Sequence, residues 1–252
     1  MSPSSRVRWT ASLGLAVASA VAATIVACSP SPPAPAVPAV VPADPEPAGP
    51  PLFEDVTART GIDFTYRNGE EAGNFAIIES VGGGLALFDF DRDGRLDIFV
   101  PGGGRYDGKE VLGNPCKLYR NLGGWKFEDV TGRVGLTEDY PYTHGAAAFD
   151  YDSDGWPDLL LTGYDRLVLL HNEPDGRGGR HFVDVTARAG LTERLWSSAA
   201  AWGDLDGDGY PEIYVSHYGN WGFDTNHPTD CTYDGRTRDV CQPRKFKPLP
   251  HA

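Results

Sequence analysis

The sequence predicts an all-β protein built from β-propeller blades. Three observations carry this prediction. One block occurs three times, as "FDFDRDGRLDIFV" (88–100), "FDYDSDGWPDLLL" (149–161) and "GDLDGDGYPEIYV" (203–215). The apolar runs beside each block are short, rich in β-branched and aromatic residues, and bounded by Gly, Asn and Asp; this is strand and hairpin grammar. After residue 52 no stretch sustains an apolar period of 3.6, and 31 Gly and 21 Pro in 252 residues argue against a helical bundle.

The repeat sets the architecture. The first aspartates of the blocks, Asp89, Asp150 and Asp204, lie 61 and 54 residues apart. A second element recurs as "FEDVTARTGI" (53–62), "FEDVTGRVGL" (127–136) and "FVDVTARAGL" (182–191). A third, "LYRNLGGWKF" (118–127), matches "LLHNEPDGRGGRHF" (169–182) with a few turn residues inserted. Each unit thus supplies four short strands, which is one propeller blade. A solenoid is the competing repeat architecture, usually with shorter repeats. The first unit is longer: Phe53 to Asp89 spans 36 residues, against 23 and 22 for the equivalent spans. Its extra "DFTYRNGEEAGNFAIIES" (63–80) is expected to form an additional hairpin, and its opening "FEDVT" the outer strand of a ring-closing blade. Three blades do not close a ring. The expectation is therefore a truncated form of a longer, seven-bladed propeller, or closure by oligomerisation.

The N-terminal segment reads as targeting rather than fold. Arg6 and Arg8 precede an apolar run from Ala11 to Ala27, which suits a secretory signal over residues 1–27. The run ends in "IVAC" (25–28), which resembles the lipobox of bacterial lipoproteins. The resemblance implies cleavage before Cys28 and lipidation of Cys28. With Ser29 following, it implies an extracytoplasmic, lipid-anchored protein, at the outer membrane where the host has one. Residues 28–51 form a tether, in which 29–51 hold ten prolines; as polyproline this stretch spans roughly 70 Å. Residues 52–252 hold the repeats. That compartment permits disulfides. Cys231 and Cys241, ten residues apart, are expected to pair; Cys116 is left as a buried thiol or as a partner for one of them.

The aspartate blocks carry the chemistry. Numbered from the first Asp, positions 1, 3, 5 and 9 are Asp89, Asp91, Asp93 and Asp97; then Asp150, Asp152, Asp154 and Asp158; then Asp204, Asp206, Asp208 and Glu212. Gly94, Gly155 and Gly209 follow position 5 and permit a sharp reversal. Alternating carboxylates on a tight turn converge on one point, and hard oxygen ligands in that number suit Ca²⁺ better than Mg²⁺. The position-7 carbonyls of Arg95, Trp156 and Tyr210 are expected to add an oxygen each. Position 12 is Val100, Leu161 and Val215, so the bidentate Glu of an EF-hand is missing. Strand-like runs follow each loop, so the loops cap hairpins. Up to three Ca²⁺ are expected. Loss of Arg6 and Arg8 with the signal takes the net charge from −13 to −15, and three Ca²⁺ would bring it to −9.

Asp-x-Asp-x-Asp-Gly-x-x-Asp between strands, at blade spacing, resembles the FG-GAP/VCBS repeats of integrin α-subunit propellers. The "F-x-D-V-T-x-x-x-G-L" and "L-Y-R-N" elements are similar to the group related to cartilage acidic protein 1. The resemblance covers about residues 52 to 252. It implies a seven-bladed propeller with calcium on the blade hairpins, mostly a binding or scaffold fold, with the twelve acids above as ligands. Glu212 departs from the usual Asp at position 9, which implies a weaker third site.

The functional expectation is a non-enzymatic, calcium-stabilised binding or adhesion module of the cell envelope, with an unknown protein or glycan ligand and contact with membrane through lipid alone. No nucleic-acid partner is expected of a chain with net charge −13, because phosphate binding needs a basic face. The alternatives are a carbohydrate-active lyase or hydrolase, with His144, His217 or Glu79 as candidates, and a structural envelope protein. No catalytic set is expected: Gly-x-Ser-x-Gly, His-Glu-x-x-His and P-loop patterns are missing. Trp125, Trp156, Trp196, Trp202 and Trp221 are read either as a glycan surface or as blade packing.

Overall fold

A computed structural model describes Gly49 and residues 53–136 and 140–251. The chain divides into two units, Met1–Pro51 and Leu52–Ala252. The expected signal peptide, Cys28 and the tether lie outside the described residues, Gly49 excepted.

The second unit is all-β and propeller-like, as the sequence predicts. The first blade contains β1 (Ala86–Phe88), β2 (Asp97–Val100), β5 (Lys117–Gly123) and β6 (Lys126–Asp129), antiparallel in the order β1-β2-β5-β6. Between β2 and β5 lies a separate hairpin, β3 (Gly104–Asp107) with β4 (Glu110–Gly113). The second blade is β7 (Thr143–Phe149), β8 (Asp158–Gly163), β9 (Val168–Pro174) and β10 (Arg180–Asp184), in chain order. The third sheet has two strands, β11 (Ser197–Gly203) and β12 (Glu212–His217). The innermost strands are rich in small residues, Ala146–Ala148 and Ala199–Ala201, and β7 touches both β1 and β11.

The second blade is stacked between its neighbours, and this explains its sequence. Every residue of β8 is buried. Leu159 and Leu161 pack with Phe88, Phe99, Leu118 and Phe182 towards the first blade. Leu160, on the other face, packs with Leu169, Val185 and Val215 towards the third. A sheet covered on both faces needs a continuous apolar run rather than alternation, hence "LLL". Each such side chain contributes about 1.5–3 kcal/mol by burial.

The recurring Asp-Val-Thr is a tie between outer strands. Asp129 Oδ1 accepts from the Thr131 N–H at 3.0 Å and from its hydroxyl at 2.6 Å, and Thr131 Oγ1 accepts the Leu118 N–H at 3.0 Å. Asp184, Thr186 and Leu169 repeat the arrangement in the second blade. The turn that follows docks on the next blade: the Phe182 N–H donates to the Val134 carbonyl at 2.8 Å. Gly135, at φ +80°, would place a Cβ 3.3 Å from the Phe182 carbonyl oxygen, and Gly61, at φ +83°, one 2.9 Å from that of Phe127. In the first two repeats this glycine is therefore where one repeat meets the outer strand of the next, whereas Gly190 in the third has no such neighbour.

Several local expectations are corrected. The first "FEDVT" is not a strand: residues 54–56 are irregular and lead into a one-turn helix, α1 (Thr57–Thr60), which lies against β6. No described "L-x-x-N" strand precedes it to pair with. Residues 63–80 are not a hairpin: they contain 3₁₀ turns at Glu70–Ala72 and Ile77–Ser80. Gly69 and Gly73, both with positive φ, close the first turn and break the extended run, and Ile77 and Ile78 bury against a cluster with Tyr142, Trp196 and Trp221. After β12, residues 218–251 supply no named strand among the described residues. They fold over that same cluster with Trp221, Cys241 and Phe246. Cys231 and Cys241 form a disulfide, their Cα atoms 5.2 Å apart. Cys116 is a buried free thiol, pushed up to about 11 by desolvation.

Candidate metal centres

The three acidic blocks form tight loops at the tips of β1–β2, β7–β8 and β11–β12, with one shared hydrogen-bond plan. The position-1 carboxylate caps the turn. Asp89 accepts the N–H groups of Asp93 and Gly94 at 3.0 and 2.8 Å. Asp150 does the same for Asp154 and Gly155, and Asp204 for Asp208 and Gly209. The position-5 carboxylate accepts the position-7 N–H in each: Arg95 at 3.0 Å, Trp156 at 2.8 Å and Tyr210 at 2.8 Å. Gly94, Gly155 and Gly209 have φ of +86°, +89° and +89°, the left-handed region that glycine enters freely. Position 4 is left-handed as well, in Arg92, Ser153 and Gly207, a feature the residue types concealed.

Position 9 has a second task that the sequence did not reveal. Asp97 and Asp158 are fully buried. Asp97 accepts the Phe90 N–H at 3.0 Å and the Asn121 N–H at 2.8 Å. Asp158 accepts the Tyr151 N–H at 3.1 Å and the Asn172 N–H at 2.8 Å. Each carboxylate bolts the loop to the third strand of its blade. Burial pushes both up to about 6, against the pull of those N–H donors. The asparagine of "L-x-x-N" completes the joint: Asn121 Nδ2 donates to the Leu96 carbonyl at 2.8 Å, and Asn172 Nδ2 to those of Pro157 at 3.1 Å and Phe90, in the neighbouring blade, at 2.9 Å. Glu212 keeps only the first half of the role, accepting the Leu205 N–H at 2.6 Å.

Carboxylate oxygens converge in every loop. Asp89, Asp91 and Asp97 each offer an oxygen within 4.8 Å of the others, as do Asp150, Asp152 and Asp154, and Asp204, Asp206 and Glu212. In the first loop Asp91 Oδ1 is buried without a hydrogen bond, as a ligand oxygen would be. All-oxygen donor sets of this kind fit a hard divalent cation.

The residue before the asparagine distinguishes the loops. Arg120 places Nε 2.6 Å from Asp91 Oδ2 and a terminal nitrogen 2.9 Å from Asp93 Oδ2, and Arg95 also pairs with Asp93. His171, at the same register in the second blade, sets Nε2 3.2 Å from Asp152 Oδ2. Both were missed. The signal was present: a lone Arg or His inside an otherwise apolar strand, in "LYRN" and "LLHN".

The catalytic candidates do not assemble. His144 is buried at the end of β7 away from the loop, with Tyr66, Tyr142 and Trp196 around its ring. His217 is buried against Ser197. Glu79 sits near Tyr106 and is raised above the ordinary carboxylate range, chiefly by desolvation. Of the tryptophans, Trp196 and Trp221 are buried, Trp202 stacks on Phe149, and Trp156 lies under Arg180 and Arg92. Trp125 is exposed.

No curated protein matches the chain. The model of the FG-GAP-like repeat family matches it twice, over residues 89–161 and 150–215. These spans run from the first acidic loop to β12 and together take in 127 of 252 residues. The three loops, their flanking strands other than β1 and the joints between them are what the match contains, and the chain belongs to the FG-GAP-like repeat family.

Proposed function

We propose that this chain is a calcium-stabilised, non-enzymatic binding or scaffold module of a bacterial cell envelope. The observation that carries the reading is the shared plan of the three acidic loops. Each folds its carboxylates onto one point, where like charges repel unless a cation joins them. Asp91, Asp93, Asp152, Asp154, Asp206 and Asp208, with the free lone pairs of positions 1 and 9, would hold the ions. Carbonyls of Arg95, Trp156 and Tyr210 would complete the shells. Bound calcium supplies charge neutralisation at a hairpin tip, and its role is to stiffen the blade rather than to react.

The "IVAC" sequence at 25–28 and the proline tract behind it support a lipid on Cys28 and a stalk that holds the blades away from the membrane. The "F-x-D-V-T" and "L-x-x-N" elements support a place in the group related to cartilage acidic protein 1. A protein or glycan is the proposed ligand class.

Thermal unfolding with EDTA and with added Ca²⁺ tests the reading. EDTA should lower the Tm and excess Ca²⁺ should restore it. A Tm indifferent to both would remove calcium from the proposal.

A further inference from the structure

The three loops differ in what overlooks them. Arg120 stands over the first. It is permanently charged and has no lone pair to give, so it can neutralise carboxylates but not ligate a metal. Among the described residues no third strand pairs with β12, so nothing equivalent overlooks the third. Among the described residues, only the second loop is faced by a side-chain nitrogen with a lone pair to give.

His171 projects from β9 with Nε2 3.2 Å from Asp152 Oδ2, 3.7 Å from Asp154 Oδ2 and 3.9 Å from Asp158 Oδ1. None of these contacts has hydrogen-bond geometry: Nε2 is buried and makes no hydrogen bond. The other ring nitrogen, Nδ1, lies 3.2 Å from Glu173 Oε1. Tyr151 fixes the ring edge-to-face, with centroids 5.5 Å apart. A carboxylate on one imidazole nitrogen, leaving the other aimed at a ligand cluster, is how metal-binding histidines are commonly oriented. Ligands each about 2.0–2.2 Å from one ion sit roughly 3–3.6 Å from one another. The 3.2 Å between His171 and Asp152 is the spacing of two ligands on one ion, and Asp158, at 3.9 Å, lies slightly beyond it. One ligand atom each from Asp152, Asp158 and His171 lies within 4.8 Å of the other two.

We propose that the second loop is a mixed nitrogen–oxygen metal site, in which His171 joins Asp152 and Asp158 and selects a borderline first-row divalent cation of the Zn²⁺ or Co²⁺ class over Ca²⁺. Imidazole suits such ions, whereas Ca²⁺ takes oxygen donors. The inference rests on the loops being cation sites at all, and it refines which cation the second one takes. Glu173 is a positioning residue: it fixes the tautomer and aim of His171 without touching the ion.

The test is calorimetric titration of the full-length chain with Co²⁺ and, separately, with Ca²⁺, on the wild type, His171→Asn and Glu173→Gln. Circular dichroism establishes that each variant is folded. The wild type should bind one Co²⁺ more tightly than any Ca²⁺. His171→Asn should weaken that Co²⁺ by at least about 100-fold and Glu173→Gln by about 10–100-fold, while Ca²⁺ affinities stay within about threefold. Unchanged Co²⁺ affinity in His171→Asn would overturn the proposal; His171 would then be an ion-pairing imidazolium, the counterpart of Arg120. Ca²⁺ binding without tighter Co²⁺ binding would sink this site alone. If no loop takes any ion, the calcium reading falls with it.

Discussion

The backbone N–H of Asn172 donates to Asp158 Oδ1 across 2.8 Å, joining the acidic loop of the second blade to its third strand. The other carboxylate oxygen of Asp158 holds the Tyr151 N–H. A residue read as a metal ligand is thus also a structural bolt, and Asp97 and Asn121 repeat it.

Removing the bolt should be costly where it has two partners and cheaper where it has one. Asp158→Ala leaves two N–H groups without an acceptor, one of them buried with Asn172, so a loss of about 2–4 kcal/mol is expected. Glu212→Ala, in a more exposed loop with one such bond, should cost under about 1 kcal/mol. Urea unfolding of both variants without metal measures this. Equal losses would mean that the third-strand bond contributes nothing.

Arg120 acts as a fixed counter-ion to Asp91 and Asp93. Arg120→Gln should therefore lower the Tm in EDTA, by the equivalent of about 0.5–1 kcal/mol for these part-exposed pairs. The same change should tighten Ca²⁺ at the first loop, since the ion no longer competes with a guanidinium. A variant destabilised equally with and without Ca²⁺, at unchanged affinity, would reduce Arg120 to ordinary packing.

His144 links stability to pH. It is buried among Tyr66, Tyr142 and Trp196, and desolvation lowers it from 6.5 to about 4. The unfolded chain therefore binds this proton first as pH falls. Its contribution is complete above pH 6.5 and is lost between pH 6.5 and 4, at most roughly 3 kcal/mol. The wild type should lose more stability than His144→Phe across that window in pH-dependent urea melts. Parallel curves would clear His144 of any part in acid sensitivity.

Cys28→Ser should release the protein from membranes, and globomycin should block its processing. Fractionation unchanged by either treatment would remove the lipid anchor from the proposed function.

How much of this was legible depended on range. The loops were fully readable. Their geometry is local, set by Asp side chains capping backbone N–H groups within five residues and by glycines at positive φ. The insertion at 63–80 was misread because two glycines turn a strand-like composition into 3₁₀ turns. The β3–β4 hairpin is not legible in the repeat, because "GRYDGKEVLG" (104–113) has no counterpart in the other units. Glu79, His144 and His217 looked like catalytic candidates one at a time; burial and separate partners set them apart.

By itself, then, the sequence determined the all-β class, the blade repeat, the hairpin-capping loops and the oxygen-rich chemistry of their carboxylates, because repetition and short-range turn chemistry write these directly into residue order. Only the tertiary structure decided that Asp97 and Asp158 are buried bolts, that the third sheet has two strands, and that Arg120 guards one loop while His171 faces another. Those facts depend on which strand lies beside which loop, 14 to 29 residues away in the chain, and contacts at that range are settled by the stacking of sheets rather than by local sequence.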